Sequence, residues 1–116
     1  MSEKPSFAEF KARRERGNAA VLDTNNLIIK RFYNLDTQAF KDGALDASTK
    51  ELLGLVASMC MRCNDCIDYH IEKCVEANLS KEQIEEAMSI ALVIGGSIVI
   101  PHLRHAKESL LELLES

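Results

Sequence analysis

Along most of the chain, apolar side chains recur three and four residues apart, the spacing that lines one face of an α-helix. No stretch shows the sustained polar/apolar alternation, with β-branched and turn residues, that strands require. The pattern predicts an all-α fold, a compact bundle of about six helices. Ser6 and Glu9 have capping-box spacing and open a charged helix to about Arg16, where Gly17 and Asn18 are expected to weaken it and leave it loosely docked. Cap candidates at residues 23–26 precede a second helix that carries Leu27, Ile28, Arg31, Phe32, Leu35, Ala39 and Phe40 and ends near Gly43. A third begins near Asp46 or Ser48, with Ser48 and Glu51 again at capping-box spacing and Leu52, Leu53, Leu55, Val56 and Met59 as a broad apolar face. Asn64 and Asp65 are cap candidates for a fourth helix reaching about Ala77. Ser80 and Gln83 match a capping box for a fifth, roughly residues 81–94, which stops at Gly95-Gly96; a sixth follows with Pro101 in its first turn.

At 116 residues the chain is expected to form one domain over 1–116, since two halves would each be too small to bury an adequate core. Apolar residues surround the fifth helix and the start of the sixth, more surface than so short a chain can cover, so a homo-oligomer is expected. The formal charge of -4 lacks the concentrated positive field that phosphate backbones require, which argues against a nucleic-acid partner. Residues 87–100, the longest weakly polar run, are too short to cross a membrane and are broken by Gly95 and Gly96. With no apolar secretory core near the start and acidic residues mixed among the basic ones, a cytoplasmic location is expected.

In a cytosolic chain, three of four cysteines crowded at Cys60, Cys63 and Cys66 point to redox or metal chemistry rather than to structural bridging. Cys63, Cys66 and His70 form C-x2-C-x3-H. At about 100° per residue they fall on one narrow helical stripe, continued by Ile67 and Ile71, while Asp65, Asp68, Glu72 and Glu76 are assigned to the opposite side. Unpaired amides at the start of this helix favour a thiolate there, and His70, one turn beyond Cys66, can accept or relay a proton. Metal binding is the competing reading: Cys60, Cys63 and Cys66 have a spacing seen in some iron-sulfur sites, and His70 could complete a zinc tetrahedron. Cys60 and Cys74 read as small core residues, and His102 and His105 as hydrogen-bonding groups at a helix-packing surface rather than as a second metal site.

Lys50-Glu51-Leu52-Leu53, the twelve-residue step from Glu51 to Cys63, Cys63-Asn64-Asp65-Cys66, His70, and Asn78-Leu79-Ser80 with Ile84 and Gly95-Gly96 together resemble the alkylhydroperoxidase D and carboxymuconolactone decarboxylase family over about residues 45–106. The resemblance implies an all-helical subunit assembling into trimers or hexamers. It implies a thiol-disulfide oxidoreductase with peroxidase-like activity in which Cys66 attacks a hydroperoxide, Cys63 resolves it as a disulfide, and Glu51 with His70 relays protons. No cofactor beyond that disulfide is implied, and the reductant would be a lipoylated protein or other dithiol donor. The family's decarboxylases generally lack the cysteine pair, although a decarboxylase or lactone-acting enzyme remains an alternative. The family's peroxidase has a histidine where this chain has Asp65, and an acidic neighbour disfavours a thiolate, partly offset by Arg62. A straight helix would leave Glu51 about 22 Å from Cys66, so a break is expected between about Met59 and Asn64 that folds Glu51 back over the thiols.

Overall fold

Local side-chain chemistry sets where each helix starts and stops. The structure, a computed structural model, describes residues 4–115 and holds six α-helices with no strand among them. They are α1 (Phe7–Leu22), α2 (Leu27–Ala39), α3 (Ala47–Cys60), α4 (Asn64–Glu76), α5 (Lys81–Gly95) and α6 (Ile100–Glu115), with a single 3-10 turn, Ser97–Val99, before α6. Ser6 caps α1 by accepting from the Glu9 amide, and Asn26 caps α2 by accepting from Ile28 and Ile29. The Ser80–Gln83 capping box at α5 is complete in both directions.

Helices α1 and α2 end away from their expected stops, and α3 starts where expected but without the expected capping box. Past Gly17, α1 continues to Leu22: one glycine costs a helix only about 1 kcal/mol, and the alanines that follow propagate it. At its other end Phe7 and Phe10 are buried and Glu112 accepts from the Phe7 amide at 2.6 Å, so the first turns of α1 are anchored to α6. Helix α2 stops at Ala39, short of Gly43, where the Lys50 ammonium donates to the Ala39 and Lys41 carbonyls at 2.9 and 2.6 Å. No Ser48–Glu51 box caps α3; Asp46 is the cap, accepting from the Thr49 amide at 2.8 Å, and hydrogen bonds from the Thr49 hydroxyl, the Thr49 amide and the Ser48 hydroxyl hold its carboxyl below the usual range.

The core lies among α3, α4, α5 and α6. Leu55 and Met59 of α3, Ile67, Ile71 and Cys74 of α4, Ile84 and Ala91 of α5, and Val99, Ala106 and Leu110 are wholly removed from solvent. Helix α3 packs on α4 and α5, and α4 on α6. By contrast α2 has no buried residue and touches the rest sparingly, through the Tyr33 hydroxyl donating to Asn18 Oδ1 at 3.0 Å and through its Lys50 tether. The radius of gyration, 14.8 Å, exceeds the roughly 13 Å of a closely packed chain this long, as a projecting arm requires.

Apolar side chains on the outer surface of α5 and the turn after it remain exposed, among them Val93 at 83% and Ile94 at 70%, with Ile98 and Ile100 nearby. At the α5–α6 corner Gly96 takes φ +80°, open to glycine without strain, and a side chain at Gly95 would collide with Val99.

Candidate active site

The expected break lies where α3 ends at Cys60 and α4 begins at Asn64. Its geometry follows from backbone hydrogen bonds. The Cys63 amide donates to Ser58 O and the Arg62 amide to Met59 O, both at 3.0 Å, and Arg62 adopts the left-handed φ of 60° that this C-terminal motif demands. A non-glycine residue there stores about 1–3 kcal/mol, which neighbouring packing must offset. The reversal lays α3 against α4 as an antiparallel pair and brings Glu51, buried at 8% exposure, to His70: Glu51 Oε1 lies 2.8 Å from His70 Nδ1. Gly54, one turn along α3, makes room for the imidazole, since a Cβ there would stand 2.6 Å from His70 Cε1. The His70 ring is flanked by Tyr69 and Phe40, with centroids at 5.2 and 5.3 Å.

Cys63 and Cys66 form a disulfide, with Cα atoms 5.3 Å apart. Cys63, rather than Asn64 or Asp65, is the N-cap of α4: its sulfur accepts from the Cys66 amide at 3.3 Å. An amide donor and the positive end of α4 favour negative charge on that sulfur once the disulfide opens. Cys66 is exposed and faces a cleft of about 500 Å³, while Cys63 is half-buried and outside its lining. The cleft is bounded by Cys66, Asp65, Tyr69 and His70 of α4, by Phe10, Arg13, Arg14, Gly17 and Asn18 of α1, and by Asp36 of α2. Asp65 faces Arg13 at 3.7 Å, so the compensating cation comes from α1 rather than from Arg62. Arg14 stacks over Tyr69, its Cζ 4.2 Å from the ring centroid. Burial raises the Tyr69 hydroxyl above its ordinary pKa, against the pull of Lys73 and Arg14.

Of the remaining candidates, the two other cysteines lie apart from the disulfide, whereas His102 touches the segment between Cys63 and Cys66. Cys60 Sγ points to the Ala91 carbonyl at 3.6 Å, away from the pair, and Cys74 is buried in the core, where desolvation pushes its thiol up to about 12. Among the described residues no group of three or more His, Cys, Asp or Glu side chains is disposed to hold a metal ion. His102 Nδ1 lies 2.8 Å from Asn64 Oδ1, and His105 Nε2 lies 3.0 Å from both carboxylate oxygens of Asp68. Asp68 therefore departs from its expected place on the solvent side of α4. It is 3% exposed and receives His105 together with the hydroxyl of Ser109, so α6 clamps the helix that carries the disulfide. Gly54, Asp68 and the α1 arginines escaped the sequence reading. An isolated glycine inside a helical pattern was the signal for the first.

Solved structures of similar proteins share this arrangement of helices. A crystal structure of a Thermotoga maritima protein matches with a TM-score of 0.89 at 53% identity, over 92% of this chain and 94% of that one. A second crystal structure from Thermotoga maritima, described as a carboxymuconolactone decarboxylase family protein with a suggested part in an antioxidative response, gives 0.87 at 52%, over 92% and 91%. An apo carboxymuconolactone decarboxylase family protein of Legionella pneumophila gives 0.84 at 26%, over 91% and 95%. Two curated relatives are uncharacterised: one of Cupriavidus necator, 29% identical over 56% of this chain and 58% of its own length, and protein 4 of the cox locus of Paracoccus denitrificans, 31% identical over 65% and 68%. The chain thus spans little more than half of the first of these. The family model reaches beyond the expected 45–106 to residues 28–108, taking in both cysteines, Glu51 and His70, and by that match the chain belongs to the carboxymuconolactone decarboxylase family.

Proposed function

We propose that the protein is a thiol-disulfide oxidoreductase with peroxidase-like activity, acting on hydroperoxides through Cys66 and Cys63 with His70 and Glu51 as the proton relay. The observation that carries this reading is the pairing of the two sulfurs at the start of α4, with one of them, Cys66, opening on a cleft that His70 also lines. In the reduced enzyme the Cys66 thiolate attacks the outer oxygen of ROOH, the O–O bond breaks, and RO⁻ leaves to take a proton from His70, which Glu51 orients. The product is Cys66 sulfenic acid. Cys63 thiolate then attacks the Cys66 sulfur, forming the disulfide and releasing hydroxide, which is protonated to water. Two thiols and ROOH thus yield one disulfide, ROH and water.

Regeneration calls for an external dithiol, of the lipoylated-protein type or another. Its thiolate attacks exposed Cys66 and expels Cys63, whose sulfur is the better leaving group because the α4 cap receives its charge. A reducing cytoplasm suits this cycle, and no helix among the described residues is long and apolar enough to cross a membrane. The uncovered apolar surface around Val93, Ile94 and Ile98 is the contact of a homo-oligomer, a trimer or hexamer.

The test is mass spectrometry of the full chain, reduced and then freed of reductant, before and after one equivalent of organic hydroperoxide. Wild type should lose two hydrogens and link Cys63 to Cys66, Cys66→Ser should not react, and Cys63→Ser should accumulate sulfenic acid at Cys66. Equal reactivity of the two variants refutes the assignment of roles.

A further inference from the structure

The redox pair and the wall that faces it come from different parts of the chain. Cys63, Cys66, Glu51 and His70 lie inside residues 28–108, which match the family model. Phe10, Arg13, Arg14, Gly17 and Asn18, half of the cleft lining, belong to α1 and lie outside it. Whatever reaches Cys66 through this cleft passes a surface the family core does not supply.

On that surface one cation is spoken for and another is not. Arg13 faces Asp65. Arg14 is half-buried and makes no ion pair within 4 Å among the described residues; its Cζ lies over the Tyr69 ring, 4.2 Å from the centroid. A guanidinium whose charge is met by an aromatic ring and by no carboxylate has N–H donors left for a second partner, and the ring contact restricts its rotamers, so less freedom is lost when that partner binds. The partner matching a planar fork of donors is a carboxylate. Phe10 and Tyr69 give the cleft an apolar part, and Asp36 on α2 repels an acid group from its own side. The cleft, about 500 Å³, has the volume of a small-molecule site.

We propose that α1 is the specificity wall of this enzyme and that Arg14 binds the carboxylate of acidic organic hydroperoxides, setting their peroxide end at Cys66. This deepens the peroxidase reading and rests on it for the reaction, though not for the binding. Full-length protein reduced with dithiothreitol is mixed with para-carboxy cumene hydroperoxide or with its methyl ester, and disulfide formation is followed by stopped flow. Wild type should oxidise with the acid about tenfold faster than with the ester, the size expected of one charge-assisted hydrogen-bonded pair. In Arg14→Ala that ratio should fall to near one, and Arg14→Lys should keep only part of it. Because the ratio is taken within each variant, a loss of folded protein cancels. A wild-type ratio near one, or an unchanged ratio in Arg14→Ala, overturns the proposal. If wild type reacts with neither peroxide, the peroxidase reading fails and calorimetric titration of the oxidised protein with para-isopropylbenzoate decides: binding lost in Arg14→Ala upholds the carboxylate site, and no binding to wild type overturns it.

Discussion

Helices α2 and α4 are each 13 residues long, yet α4 buries Ile67, Asp68, Ile71 and Cys74 while α2 buries nothing. The packed block of α3 to α6 carries the disulfide, Glu51 and His70, and the α1–α2 arm lines the cleft on which Cys66 and His70 open. Catalytic geometry tolerates little displacement, so it belongs in the part of the molecule with most contacts; a recognition wall tolerates more variation and can be built on a less buried element. Matched truncations should expose the difference in stability. Ile71→Ala should cost about 2–5 kcal/mol in denaturant unfolding, as other large-to-small core changes do, whereas Leu35→Ala on α2 should stay within about 0.5 kcal/mol. Comparable costs at the two sites would dissolve the distinction between block and arm.

A sharper probe sits inside the block. Gly54→Ala adds one methyl group where a Cβ would meet the His70 ring at 2.6 Å, so the imidazole must move away from Glu51 or α3 must shift. Displacing a proton-transfer group by about 1 Å commonly costs around 100-fold in rate. The expected result is therefore a loss of that order in hydroperoxide-driven disulfide formation by stopped flow, with helical circular dichroism retained. A wild-type rate in this variant would remove the Glu51–His70 contact from the mechanism.

How much of this was legible in the sequence depended on the range of the interactions. The helices, the Ser80–Gln83 box and the break before Asn64 follow from neighbours within a few residues, and all were readable. Geometry alone did not bring Glu51 back: the family resemblance gave it a place beside the thiols, the length of a straight helix then demanded a bend, and the partner it meets, His70, lies 19 residues on. Ser48–Glu51 capping spacing was a false local signal: Asp46, two residues earlier, already supplies the cap, which frees Glu51 for His70. Asp68 was assigned to solvent because a helical wheel knows only its own helix. Its partners, His105 and Ser109, arrive from 37 and 41 residues away, and such contacts compensate a buried carboxylate only in three dimensions. The arginines of α1 were hidden for a similar reason, since a charged helix reads as a solvated surface until its docking partner is known.

The gentlest perturbation bears on whether arm and block unfold together. Gly17 is in the middle of α1, and a Cβ added there would meet nothing within 4 Å, so Gly17→Ala changes helix propensity with no packing penalty. The gain should be up to about 1 kcal/mol. Where it registers is the informative part. Phe7 and Phe10 tie the start of α1 to the molecule, but no residue of α1 after Phe10 is buried, so its later turns should open without the core. The expected outcome is an unmoved global unfolding midpoint with hydrogen exchange at residues 17–22 slowed about fivefold, the equivalent of 1 kcal/mol in a local opening equilibrium. A midpoint that rises by the full amount would instead mean that α1 folds as part of the block, and the wall facing Cys66 would then be as rigid as the helix that carries it.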